Sequence, residues 1–588
     1  MPAQQGDFPA FDAVAAAQVG ARLVGEFLKR QGAPDESGVS QAFLDLGAKL
    51  LADPLKLAQT QLDLWQDYAR LWQHTLLRML GQPAPAAASE PGDKRFSHPD
   101  WEQNFAFDFI KQSYLIAARH IHKTVKDVEG LDEQTARKVD FYTRQYLDAL
   151  SPSNFVHTNP QVLRAMMETR GENLVNGLKN LLEDLENGRG GPLMVRMTDT
   201  SAFELGRNVA TTPGKVVFQN DLMQLIQYQP TTRQVRRRPL LIFPPWINKY
   251  YILDLRQDNS FVRWTVEQGH TVFVVSWVNP DQRHADKTFD DYLTEGALAA
   301  MEAVALATGE RELNAVGYCL GGTLLACALA YLEARKDRRV ASATFLASLI
   351  DFREPGELGV FIDEKQLNAL ERRMNERGYL EGQEMAATFN MLRSNDLIWS
   401  FVVNNYLLGK DPLPFDLLFW NSDSTRMPAK MHSFYLRNMY LHNKLREPGG
   451  ITLAGEPIDV SRISAPAYFL SASEDHIALW QSTYYGAALL PGKVKFVLGG
   501  SGHIAGVVNP AGSRKYGYRT NPKRPADPET WLDGARRHEG SWWPDWDKWV
   551  ARYGGGRAPA RVPGQGSLPA LEDAPGSYAA RRLDRPDA

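Results

Sequence analysis

The chain has 588 residues, 44% of them hydrophobic and 23% charged, with a formal net charge of −3 at pH 7. That length exceeds one ordinary hydrophobic core and calls for two domains with tails. The near-balanced charge excludes strong electrostatic attraction to nucleic acid or an anionic membrane, and two cysteines in so long a chain exclude a disulfide framework.

The opening stretch, MPAQQGDFPAFDAV, has no basic region followed by an apolar one, so no secretory signal is expected. Residues 8–80 read as helices, because AQVGARLVGEFLKR and LDLWQDYARLWQHTLLRML carry apolar residues at helical spacing. GQPAPAAASEPGDK (81–94) has the composition of a flexible linker. Helical patterning resumes after Trp101 and runs to about residue 187, broken by the turn and cap formers of LSPSNFVHTNP (150–160). Residues 1–200 thus form a mainly helical domain with no recognisable catalytic cluster.

A second domain is expected over 201–553. Short apolar runs alternate there with helices: VVFQ, LMQLIQYQ, PLLIFPP (239–245), HTVFVVSW (270–277), ELNAVGY (312–318), SATFLASL (342–349), APAYFLSA (465–472) and VKFVLGG (494–500). This alternation predicts an α/β fold with a largely parallel sheet covered on both faces. The aromatic, mostly helical stretch at about 350–448 is too long for a loop and reads as a cap. The apolar SWWPDWDKW stretch is expected to exclude water and touch a bulky apolar product. Residues 554–588, rich in Gly, Pro, Ala and Arg, are expected to be mostly disordered. The uncharged run Ala315–Leu332 reads as a strand, a sharp turn and a buried helix rather than a membrane span. The basic run Arg236–Arg238 reads as a solvated loop.

Gly317-Tyr318-Cys319-Leu320-Gly321-Gly322 follows an apolar strand and opens an apolar helix. This is the nucleophile-elbow pattern with Cys in place of Ser. Small residues are needed on either side because the turn is sharp. The side chain then projects above the sheet at a helix N-terminus, whose partial positive charge favours a thiolate. Cys327 lies within the helix among Leu and Ala and reads as packing. The two cysteines are more than two helical turns apart, so they do not pair, and a reduced cytoplasmic setting fits.

An elbow takes its acid and its base from later strand ends, in that order. Ser473-Glu474-Asp475-His476 follows one strand and Ser501-Gly502-His503 the next. His503 is the expected base and Asp475 the preferred acid, with Glu474 and Asp351 as rivals; Asp351 opens the cap and can serve as a helix cap. His476 is a second candidate base, read as packing locally. The oxyanion hole needs two backbone N–H groups. Leu320 supplies one; Trp246 or Ile247 supplies the other, Ile247 being preferred. Asn248 and Lys249 either hold this loop or touch substrate. No HExxH, Cys–His cluster, GxGxxG or P-loop is present, so no metal or redox cofactor is expected.

Several stretches together resemble the class I poly(3-hydroxyalkanoate) synthases. They are FPPWINKYYILDL (243–255), VSWVNPD (275–281), NAVGYCLGGTLLACALA (314–330), RSNDLIWSFVVNNYLLG (393–409), PFDLLFWNSDSTRMP (414–428), SEDHIALW (473–480), LGGSGHIAGVVNPAG (498–512) and HEGSWWPDW (538–546), with looser likeness in RFSHPDW (95–101) and LSPSNF (150–155). The resemblance implies an α/β-hydrolase fold with a helical cap, Cys319 as acyl carrier, His503 as base and Asp475 as acid. It implies a cytoplasmic homodimer at the surface of a polyester granule, taking (R)-3-hydroxyacyl-CoA, short-chain (R)-3-hydroxybutyryl-CoA above all, and extending a growing polyester chain. Coenzyme A is then part of the substrate and is released; no cofactor, nucleic acid or membrane span is implied. Two other readings are a Cys-dependent esterase, thioesterase or depolymerase, and a non-enzymatic granule protein.

Overall fold

The computed structural model describes residues 37–82, 93–186 and 195–582. The helix expected at 17–30 and most of the linker expected at 81–94 lie outside these residues.

The N-terminal region consists of helices α1 (Val39–Ala52), α2 (Pro54–Met79), α3 (Phe105–Lys126), α4 (Glu133–Ala149), α5 (Pro160–Glu168) and α6 (Glu172–Glu186). Their starts are written in the sequence. Asp53, Asn104, Asp132 and Asn159 each cap the next helix by accepting backbone N–H bonds, and Pro54 and Pro160 occupy first-turn positions where a missing N–H is harmless. Leu71, Trp101 and Ile116 make one small core; Leu46 and Val139 belong to another.

The rest is built on one eleven-stranded sheet. In chain order its strands are β1 (Gly214–Gln219), β2 (Met223–Tyr228), β3 (Leu240–Phe243), β4 (Val272–Trp277), β5 (Leu313–Tyr318), β6 (Val340–Leu346), β7 (Ala467–Ala472), β8 (Val494–Gly499), β9 (Tyr518–Thr520), β10 (Arg536–His538) and β11 (Glu572–Asp573). They lie in the order β10-β9-β8-β7-β6-β5-β3-β4-β2-β1-β11. The six central strands, β4 to β8 with β3, run parallel, and the flanking pairs are antiparallel. Alternate side chains feed two cores: Leu241, Phe243, Phe273 and Val275 on one face, and Leu240, Ile242, Val272 and Val274 on the other. Helix α7 (Phe261–Glu267) covers the second face, and α8 (Ala299–Thr308) and α9 (Leu320–Ala334) cover the first.

The cap lies between β6 and β7. It contains α10 (Glu364–Arg377), α11 (Gly382–Leu392) and α12 (Ala429–Tyr435), and π-helical turns at Asn395–Trp399, Val402–Leu407 and Leu436–Leu441. The N-terminal helices grip it through polar contacts. Arg144 pairs with Glu357 at 2.7 Å, Asp148 accepts from Ser394 and Asn395, and the Asn173 and Asn180 amides donate to the Leu407 and Asn405 carbonyls.

Two sequence expectations need correction. The described residues after Gly554, 555–582, are packed on the fold: Arg557–Pro559 pairs with Gln234–Arg236, β11 pairs with β1, and α15 (Ser577–Ala580) follows. Its composition is poor in core formers, but backbone pairing to an existing strand requires few apolar side chains. The SWWPDWDKW stretch opens α14 (Trp543–Val550), and Trp542, Trp543, Trp546 and Trp549 are buried with Phe261 and Tyr468 on the second face of the sheet. These rings are internal structure, leaving none of the four to meet a product. In this numbering α13 is Trp480–Leu489, which packs beside β7 and β8.

Candidate active site

The turn between β5 and α9 forces Cys319 into φ 52°, ψ −120°, a strained left-handed-side conformation. Close packing demands the glycines around it. A Cβ on Gly317 would lie 2.7 Å from the Gly321 carbonyl oxygen. One on Gly321 would strike the Phe243 carbonyl, with the carbonyl carbon 2.7 Å away and the Pro244 oxygen 2.9 Å away. The helix N-terminus is therefore pressed directly against the end of β3, from which the 246–250 loop departs. Cys319 N–H donates to the Leu346 carbonyl at 2.9 Å and its own carbonyl accepts from Gly322 N–H at 2.9 Å, fixing the turn. Cys327 is fully buried in α9, and burial pushes its thiol pKa up.

Asp475 and His503 arrive from the ends of β7 and β8, neighbouring parallel strands. Asp475 Oδ1 accepts the Ile477 and Ala478 N–H groups, both at 2.9 Å, and Oδ2 meets His503 Nδ1 at 2.7 Å. His503 also neighbours Cys319, which acts on the charge of its imidazole. Burial disfavours a charged imidazole there, but Asp475 and Cys319 outweigh it and hold the His503 pKa well above its ordinary range. Tyr318 stacks on the ring, with centroids 5.6 Å apart, and its hydroxyl donates to the His503 carbonyl at 3.2 Å. The buried tryptophans anchor the same loop: Trp542 and Trp543 indoles donate to the Gly506 and Val507 carbonyls, each at 3.0 Å. The structure thus brings Cys319, His503 and Asp475 together.

The rivals are elsewhere engaged. Asp351 is held by Arg353 at 2.7 Å and by the Asn443 amide at 2.8 Å, tying the cap's entrance to its exit. Glu474 is exposed. His476 stands beside Asp475, and its pKa is lowered to about 4, chiefly by burial.

Cys319 opens into a cavity of about 400 Å³ whose wall is largely apolar, including Leu358, Phe361 and Ile477. Leu320 and Ile247 also line it. Leu320 is the first residue of α9, where an N–H has no intrahelical acceptor. Trp246 is instead buried against Trp277 and Tyr292. Asn248 and Lys249 hold the loop: the Asn248 amide donates to the Trp420 and Asn421 carbonyls, and Lys249 Nζ to those of Tyr578 and Arg581. Burial lowers the Lys249 pKa to about 8.

Sequence reasoning missed His432. It lies on α12 in the cavity wall, is 3% exposed, and neither ring nitrogen has a hydrogen-bond partner. Burial lowers its pKa to about 4, so it is neutral. A single histidine inside MPAKMHSFYLRN gives no sequence signal that would distinguish it from a surface residue. Tyr435 and Tyr440 also face Cys319 from the cap, Tyr440 from the π-helical turn.

Parallel strands crossed by helices, an elbow at the end of β5 and a helical insert after β6 define an α/β-hydrolase fold. The family description "alpha/beta hydrolase fold" matches residues 260–510, and "Poly-beta-hydroxybutyrate polymerase (PhaC) N-terminus" matches residues 92–265. The chain is 53% identical to the poly(3-hydroxyalkanoate) polymerase of Methylorubrum extorquens, over 95% of this chain and 92% of that protein. It is 51% identical to the poly(3-hydroxyalkanoate) polymerase subunit PhaC of Rhizobium meliloti (90% and 86% covered) and 44% identical to that of Cupriavidus necator (91% and 90% covered). The chain belongs to the poly(3-hydroxyalkanoate) polymerase family. Among the described residues no helix is long and apolar enough to cross a membrane.

Proposed function

We propose that this enzyme polymerises (R)-3-hydroxyacyl groups, (R)-3-hydroxybutyryl above all, from their coenzyme A thioesters through an acyl-Cys319 intermediate. The observation that carries this reading is the hydrogen-bonded His503–Asp475 pair facing an elbow cysteine inside an apolar cavity. His503 takes the Cys319 thiol proton, and the sulfur attacks the thioester carbonyl carbon. The Leu320 and Ile247 N–H groups stabilise the oxyanion as it forms. Collapse breaks the carbon–sulfur bond to coenzyme A, which leaves with the proton from His503. The 3-hydroxyl of another unit then gives its proton to His503 and attacks an acyl carbonyl, so an ester forms as a thioester breaks.

An apolar cavity suits this cycle because water reaching the acyl-enzyme would release the chain. No cofactor is needed, since coenzyme A enters with the substrate and departs. By the same reading the enzyme works as a homodimer in the cytoplasm, on the surface of a polyester granule. The test is incubation with (R)-3-hydroxybutyryl-CoA, following coenzyme A and insoluble polyester together. Coenzyme A released with soluble free acid and no polymer would make the protein a hydrolase.

A further inference from the structure

We propose that Tyr578–Arg582 form a strap that positions the Ile247 N–H for acyl transfer, acting through Lys249 and Asp423. The proposal rests on the reading of Cys319 as the acylated residue and Ile247 as an oxyanion donor.

The loop after β3 leaves the sheet through two prolines, and the neighbouring strand β4 reaches only its start, where the Trp277 indole donates to the Pro244 carbonyl at 2.9 Å and packs on Trp246. One side of it is pinned to residues 420–425. Thr425 N–H donates to the Ile247 carbonyl at 2.9 Å, the Thr425 hydroxyl donates to the Trp246 carbonyl, and the Trp420 indole donates to the Lys249 carbonyl at 2.7 Å. The strap fastens both partners of this contact. Lys249, 2% exposed, donates to the Tyr578 carbonyl at 2.8 Å and the Arg581 carbonyl at 2.9 Å. Arg582 lies 3.4 Å from the Asp423 carboxylate and 4.4 Å from the centre of the Phe419 ring. Asp423 also accepts the Tyr251 hydroxyl at 2.7 Å. A buried lysine and a buried aspartate are tolerated only where their charges are met, so the strap completes the site of each.

The strap is itself tied to the sheet edge. The Tyr578 hydroxyl donates to the Asn220 carbonyl at 2.7 Å, Tyr578 N–H donates to Gln224 Oε1 at 3.1 Å, and β11 pairs with β1. A continuous set of contacts thus runs from the sheet edge to the loop carrying Ile247. No strap residue lines the Cys319 cavity, so its action is positional.

The test compares two reactions of Cys319 in the full-length enzyme. Acylation by (R)-3-hydroxybutyryl-CoA passes through an oxyanion; alkylation by iodoacetamide displaces iodide at a saturated carbon and builds none. Arg582→Ala should slow single-turnover acylation about tenfold, a fraction of the loss seen when an oxyanion donor is removed outright. Its alkylation rate should stay within about twofold of the parent's, and Arg582→Lys should restore most of the acylation rate. The milder Arg582→Gln gives the same comparison if the alanine variant does not fold. Acylation at the parent rate, or a fall matched by an equal fall in alkylation, would overturn the strap's role. If mass spectrometry finds no acyl group on Cys319 in the parent enzyme, the reading of the site fails first and the strap's role with it.

Discussion

Gly321→Ala tests the contact between the elbow helix and the end of β3. The added Cβ would lie 2.7 Å from the Phe243 carbonyl carbon and 2.9 Å from the Pro244 oxygen, where ordinary contact begins at 3.4 Å. Both obstacles are backbone, so no side chain can swing away. The Phe243 carbonyl oxygen lies nearer still, so the end of β3 and the first turn of α9 must separate by more than about 1 Å, and this moves Leu320 and the loop of Ile247 apart. Misplacement of about 1 Å costs up to about 100-fold in rate, so a loss of about 10- to 100-fold in single-turnover coenzyme A release is expected. Overpacking of this kind also destabilises by about 1–3 kcal/mol. Gly47→Ala is the control, because a Cβ there meets nothing within 4 Å. Rapid-quench measurement of the first coenzyme A released, with thermal denaturation of the same samples, decides the matter. A Gly321→Ala enzyme acylated at the parent rate would show that the spacing between these backbones does not set the oxyanion geometry.

Cys319→Ala should abolish coenzyme A release, whereas Cys327→Ala should keep most activity; acyl label found on Cys327 of active enzyme would reverse the assignment. Asp475→Asn should still acylate Cys319 and give an initial release of coenzyme A, then turn over very slowly, because the 3-hydroxyl is a far weaker acid than a thiol and depends more on an oriented base. Equal losses in acylation and steady-state turnover would reduce Asp475 to a holder of His503. His432 should make stability fall in acid. It stays neutral in the fold down to about pH 4, while the unfolded chain takes up a proton below 6.5. Its contribution is full above pH 6.5 and is lost as pH falls toward 4, by about 3 kcal/mol at most. Thermal denaturation should therefore drop more steeply with acid in the parent than in His432→Leu, and parallel profiles would refute this.

The eight apolar runs read from the sequence all became sheet strands, the central ones most plainly, because strands buried on both faces announce themselves by continuous hydrophobicity. The strands of the large sheet that were missed are short and lie at its flanks: Tyr518–Thr520, Arg536–His538 and Glu572–Asp573. Their side chains carry no alternation, and only the neighbouring backbone makes them strands. The positions of Cys319, Asp475 and His503 were legible because each follows a strand end in the chain order that the fold requires. The roles of Lys249 and the tryptophans were not legible. Lys249 is defined by carbonyls more than 320 residues away, and Trp542 and Trp543 by carbonyls 36 residues back. The grip of the N-terminal helices on the cap is equally silent, since it uses single Asp, Asn and Arg side chains with no periodic pattern.

An open sheet presents unpaired backbone at both ends, which invites another chain to add a strand. Here one end is closed by Arg536-Arg537-His538 and the other by Glu572-Asp573, short and charged in both cases. Chain removal at Pro569 would strip the second guard and leave β1, with Val216, Val217 and Phe218, as a bare six-residue edge. The shortened protein should then be prone to intermolecular strand pairing and aggregation, a hazard that grows wherever many copies crowd onto one surface.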